Sequence, residues 1–226
     1  MKKILVSLIA CFLMTAPAAA QYYPDGRPVP PRLRNGYHPR GNTAYYPNMY
    51  YGFRIGLGVG TVNSESDYLN GNKAQTGLNM GFVLGTQLTT AAPLFFETGI
   101  YYSEKGGKST YDNQKFTYGL NYIEFPLLLK YKYYADRDFS IEPFVGGYLA
   151  YGVGGKIKDF REREAYNSFD ENNFKRFDGG LRVGCGVGFQ VMYLEASYDI
   201  GLANVGNDDF DDTHTGCLNL TFGVNF

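Results

Sequence analysis

The side chains best suited to chemistry gather late in the chain, in Asn204-Val-Gly-Asn-Asp-Asp-Phe-Asp-Asp-Thr-His214. Clustered carboxylates suit a divalent cation such as calcium, so Asp208, Asp209, Asp211 and Asp212 are candidate metal ligands, although their spacing is not that of an EF-hand loop. Asp212 and His214 also make an acid–imidazole pair, and a solvated acidic loop is the plain alternative. Acyl-transfer chemistry would need Ser, His and an acid brought together. The chain has only two histidines, His38 and His214. No catalytic residue is therefore assigned, and the expectation is a protein that is not an enzyme and carries no cofactor. Gly56-Leu-Gly-Val-Gly and Gly184-Cys-Gly-Val-Gly superficially resemble nucleotide loops. Both run through strand-like alternation with no helix start behind them, which removes the phosphate-cradling geometry.

A second set of reactive groups is spread along the chain at strand spacing. Arg54, Glu97, Glu124, Lys130, Lys132, Glu142, Arg182, Glu195 and Asp199 all share a side with polar or small residues, opposite a row of apolar ones. The stretch Tyr122 to Lys132 shows the pattern best: Ile123, Phe125, Leu127, Leu129 and Tyr131 alternate with Glu124, Pro126, Leu128, Lys130 and Lys132. In a soluble sandwich the apolar side would face a core, whereas in a membrane barrel it faces lipid and the charged side lines a narrow lumen. Charges enclosed there must pair, so the nine are expected to form a network across the lumen, and the same network could also carry ions or protons.

The composition supports strands. The chain is 44% hydrophobic, with 21 Tyr, 17 Phe, 29 Gly and no Trp. Mean hydropathy is nevertheless −0.28, and no apolar run long enough for a membrane helix follows the first 20 positions. Alternation predicts strands over about 53–62, 76–88, 94–104, 116–132, 139–153, 176–189, 192–202 and 216–226. The connections after the odd strands come out at about 13, 11, 22 and 13 residues and those after the even strands at about 5, 6 and 2, the long–short rhythm of a barrel with extracellular loops and periplasmic turns. Eight strands enclose room for side chains only, so a plugged lumen is expected. Gly56, Gly58 and Gly60 are expected to receive Phe144 and Tyr148 from across it, and Pro126 and Pro143 to bulge or kink their hairpin. Cys185 should point out and Cys217 in, on strands that are not neighbours, which excludes a disulfide.

Tyr-Ile-Glu-Phe-Pro-Leu-Leu-Leu-Lys-Tyr, from Tyr122, resembles the signature strand of the PorT-like outer-membrane β-barrel proteins of Bacteroidota. The resemblance extends from about Phe53 to the C-terminus and implies the same fold and compartment. Phe222, Val224 and Phe226 end the chain in an alternating strand that resembles the C-terminal signal read by the barrel-insertion machinery.

Lys2, Lys3, the apolar run from Ile4 to Met14 and Ala18-Ala19-Ala20 predict a signal peptide over residues 1–20, with lipidation at Cys11 as a rival. Residues 21–50, rich in Tyr, Pro and Arg, predict a disordered periplasmic arm, and residues 51–226 the barrel. Without the leader's two lysines the chain holds 19 basic and 22 acidic residues, which provides no field for nucleic acid. The partners expected are outer-membrane lipid and lipopolysaccharide, the insertion machinery, and a protein at the 154–175 loop, whose aromatics Phe160, Tyr166, Phe169 and Phe174 fit either a binding surface or a self-packed lid. The fold expected is all-β: an eight-stranded antiparallel transmembrane β-barrel in the outer membrane of a Gram-negative bacterium. It would act as a structural or interaction protein, with a narrow pore as one alternative and a soluble periplasmic ligand-binding barrel as another.

Overall fold

The computed structural model describes residues 49–64, 73–89, 92–111, 114–135, 138–159, 165–169, 174–206 and 213–226. The expected signal peptide and almost all of the expected arm lie outside them. Eight long strands carry the fold: β1 Met49–Ser64, β2 Lys73–Gln87, β3 Leu94–Tyr111, β4 Gln114–Tyr131, β5 Phe139–Gly154, β6 Phe177–Phe189, β7 Met192–Gly201 and β8 Thr213–Asn225. Each pairs antiparallel with the next. β8 returns to β1 in one unbroken register from Gly52↔Asn225 to Ser64↔Thr213, so the sheet closes and leaves no long edge.

Strict alternation explains both faces of the cylinder. Along β5 every second side chain from Phe139 to Val153 points outward, and all of these are uncharged. The same holds for Ile55, Leu57 and Val59 on β1 and for Leu218, Leu220 and Phe222 on β8, each between 39% and 57% exposed. Phe53, Leu78 and Leu220, which a soluble ligand-binding barrel would turn toward a cavity, belong to this outer row. From Phe139 to Tyr151 the row rises about 30 Å for strands tilted near 40°, enough for a bilayer core. Aromatic rings mark its two borders, with Tyr51, Tyr131, Tyr133 and Phe139 at the end near the chain terminus and Tyr102, Tyr151 and Phe177 at the other.

The connections depart from expectation at one place. Only residues 112–113 separate β3 from β4, instead of an 11-residue loop, because the ladder runs on from Lys105↔Leu120 to Tyr111↔Gln114. Lys105-Gly-Gly-Lys-Ser-Thr-Tyr reads as a loop by composition, but beyond the apolar belt both faces of a strand can meet water or protein and polarity no longer marks its end. Two irregularities flank this tall hairpin, one between Ala74 and Asn79 on the β2 side and one between Asn121 and Tyr122 on the β5 side. Gly106, at φ +149°, sits at the first, where a side chain would be strained. The proline residues produce no such shift. The β3–β4 ladder skips the pairs facing Phe125 and Pro126 yet resumes in the same register, and Pro143↔Cys185 lies in continuous pairing.

The 155–176 connection adds a short strand, Lys156–Asp159, which pairs with β4 above the point where β5 leaves it, and a second, Ala165–Asn167, on the first. Tyr133–Tyr134 extends β5 at the opposite end.

Candidate functional site in the barrel lumen

Inward parity places the nine charged residues named above inside the barrel, each no more than 6% exposed. They fall into two groups. In the half nearer the termini, Lys130 on β4 donates to both oxygens of Glu97 on β3, at 3.0 and 2.9 Å, and to the Tyr193 hydroxyl at 2.7 Å. Glu142 and Glu195 stand 4.0 and 3.8 Å from the same ammonium. Arg54 reaches Glu97 at 3.9 Å and lies over the Tyr193 ring, 4.0 Å from its centre. Lys132 pairs with Glu142 at 3.5 Å and covers the Tyr50 ring at 3.6 Å, while Tyr50 donates to Glu97. Three cations thus meet three carboxylates.

The other group centres on Arg182 of β6. Its Nε and Nη2 grip the two oxygens of Asp199, on β7, at 2.6 and 2.8 Å, and Nη2 also donates to Glu124 on β4. The Asn219 side chain donates to Asp199 at 3.1 Å and accepts from Asn79 at 3.0 Å, which carries the chain of contacts round to β2. Two members were not anticipated. Lys105 sits 3.0 Å from Glu124, 3.5 Å from Asp178 and 3.7 Å from Asp199, with its ammonium 4.1 Å above the Tyr148 ring. Asp178 accepts from Thr215 at 2.9 Å. Lys105 shares the parity of Glu97 and was readable once its strand was drawn one residue further, while Asp178 shares that of Arg182 within its expected strand. Among the described residues no ion pair joins the two groups.

Space for these side chains comes from adjacent strands rather than from across the lumen. Phe144 lies over Gly184, Tyr50 over Gly85, Tyr101 over Gly81 and Tyr118 over Gly107, each glycine being the ring's direct cross-strand partner. Aromatic side chains thereby cover the bare backbone of glycine in the neighbouring strand. Gly56 faces the backbone of β8, and Gly58 and Gly60 face Asn219, Cys217, Lys105 and Gly106; none of the three receives Phe144 or Tyr148, which corrects that expectation. Cys185 faces outward and Cys217 inward, both as free thiols.

Above the second group the described residues form a buried apolar layer. Phe169 meets Tyr122 edge-on at 5.7 Å and Phe174 stacks on Tyr118 at 5.8 Å, with Val62, Leu120, Ala150, Ile157 and Val205 filling between. Hydrogen bonds fix this lid: Ser168 N–H to Gly155 O, Lys175 N–H to Val205 O, and the Ser168 hydroxyl to Gly119 O at 2.7 Å. Phe169 and Phe174 therefore serve as lid, not as exposed surface. The side chains of Phe160 and Tyr166 lie outside the described residues, as do the metal candidates Asp208, Asp209, Asp211 and Asp212. Among the described residues no group of three or more His, Cys, Asp and Glu side chains is arranged to hold a metal. Phe222, Val224 and Phe226 occupy the outer row at the end of β8.

The family described as outer membrane protein beta-barrel domain matches residues 40–207, about three quarters of the chain. The chain belongs to this outer membrane β-barrel family. Among solved structures, this outer membrane barrel is similar to Ail, the attachment invasion locus protein of Yersinia pestis, in complex with the heparin analogue sucrose octasulfate. They share 13% identity at a TM-score of 0.41, over 80% of this chain and 100% of that one. Neisserial surface protein A gives 12% identity and 0.42 over 79% and 96%, and the outer membrane enzyme PagL 12% and 0.41 over 76% and 98%. Likeness at this level concerns shape alone. No curated protein matches the chain.

Proposed function

We propose that this outer membrane barrel is a sealed, non-conducting structural or interaction protein that works through its extracellular face and catalyses no reaction. The carrying observation is that two charge clusters and an apolar lid lie in series along one lumen, every charge among them buried and ion-paired. The strand Tyr122 to Lys132 supports a place in the PorT-like branch of the family. The residues before Met49 are read as a cleaved leader and an arm, and Phe222, Val224 and Phe226 as the mark recognised at insertion.

A narrow pore is the second reading. It is favoured by Glu142 Oε2, Glu195 Oε2 and Thr221 Oγ1, which are buried without a hydrogen-bond partner among the described residues and so call for water in the lumen. Planar-bilayer recording of the refolded mature chain separates the two. The sealed reading requires silence from protein shown to be inserted. Stepwise currents whose selectivity follows Glu97→Gln, Lys130→Met and Arg182→Met would replace it with the pore.

A further inference from the structure

Among the described residues every cation inside the barrel is ion-paired, whereas two consecutive cations on its rim are not. Lys175 and Arg176 are exposed at the extracellular start of β6, and neither has an ion pair among the described residues. Arg176 is nevertheless held in place. Its Nη1 donates to Gly152 O at 3.0 Å, its carbonyl accepts from Gly152 N–H at 2.6 Å, and its guanidinium lies 5.5 Å from the centre of the Phe169 ring. The backbone of Lys175 is tied to Val205. One of five guanidinium N–H donors is used, which leaves a planar fork at little further ordering cost.

The height of this pair says what it meets. The next residue, Phe177, pairs with Tyr151 across the β5–β6 ladder, and both are outward rings 55% exposed at the upper border of the apolar belt. Val153 and Leu202, 51% and 59% exposed, continue the same border. Aromatic girdles sit at headgroup level, so the two cations stand where the phosphates of the outer leaflet lie. Guanidinium binds phosphate through paired, charge-assisted hydrogen bonds. We propose that Lys175 and Arg176 form a clamp for the phosphate of an outer-leaflet glycolipid, that is, lipopolysaccharide through its lipid A, with Phe177 and Tyr151 against the acyl chains. The clamp rests on the outer-membrane placement and is independent of whether the lumen conducts.

The test measures binding of lipid A, and of lipid A stripped of its phosphates, to the folded mature protein in phosphate-free detergent. Lys175→Gln and Arg176→Gln should each weaken lipid A binding about fivefold, and the pair about twentyfold. Dephosphorylated lipid A should bind the unaltered protein no better than lipid A binds the double variant. Lys175→Gln leaves the Gly152 and Phe169 contacts of Arg176 in place, so it reports even if the arginine variant loosens the lid. Lys108→Gln, an exposed cation on β3, should change nothing. Unchanged affinity in both rim variants, or equal binding of the two lipids, overturns the clamp. Full competition by millimolar inorganic phosphate would assign the pair to a free anion and overturn the lipid assignment.

Discussion

At the scale of single residues, Arg182 is the charge whose loss should be felt most. It satisfies Asp199 and Glu124 together, and both carboxylates are fully buried. Arg182→Met removes the cation and leaves two carboxylates with Lys105 alone between them, which should cost about 3–5 kcal/mol in urea unfolding from lipid vesicles. Adding Asp199→Asn and Glu124→Gln should recover much of that loss; equal stability of the single and triple variants would show that the charges were not the cause. Glycine positions give a second residue-level test. A methyl group at Gly85 would overlap the Tyr50 ring and push its hydroxyl off Glu97, whereas one at Gly154 meets nothing within 4 Å. Gly85→Ala should therefore destabilise by about 1–3 kcal/mol and Gly154→Ala by little. The inward charges were legible from period two alone. Lys105 and Asp178 were overlooked for different reasons: the first lay past a boundary drawn where polarity rose, the second within its strand but not counted with its own parity. The ring-over-glycine pairs were not legible, because they depend on cross-strand register, which alternation within one strand does not contain.

At the scale of elements, the tall β3–β4 hairpin and the 155–176 connection form one unit, since Lys156–Asp159 pairs with β4 and Phe169 and Phe174 pack on Tyr122 and Tyr118 from β4. Composition could reveal an aromatic-rich loop but not which way its rings face. That choice is made by the two irregularities flanking the hairpin and by Gly152, whose bare backbone receives Phe169. Phe169→Ala leaves a hole the size of a ring in this layer and should cost about 3 kcal/mol locally. Because the barrel below keeps all its pairings, the loss should appear as faster amide exchange and protease nicking within 154–177 while the folded-barrel gel shift persists. Protection unchanged by both Phe169→Ala and Phe174→Ala would mean that the rings do not hold the lid.

At the scale of the whole molecule, the lumen holds barriers of two chemistries in series, ion-paired clusters below and an apolar layer above. Nearer the termini it is crossed by Arg54, Lys130 and Lys132 with their three glutamates, above them by the Arg182 cluster, and at the mouth by an apolar layer with Lys105 against its Tyr148 and Arg176 against its Phe169. An ion must pass both, so barriers in series predict non-additive behaviour. Replacing 156–175 by a short Gly-Ser linker removes the upper barrier alone and should leave the barrel electrically silent. Lys130→Ala with Glu97→Ala removes side chains from the lower barrier alone and should also be silent, because the lid excludes hydrated ions by desolvation. Only the combined variant should conduct, with a selectivity set by the charges that remain, Glu124, Glu142, Asp178, Glu195 and Asp199 against Arg54, Lys105, Lys132 and Arg182, and therefore weakly for cations. Currents from the lid replacement alone would show that the ion-paired clusters admit ions as they stand, which would favour the pore over the sealed reading, with the apolar layer as its gate.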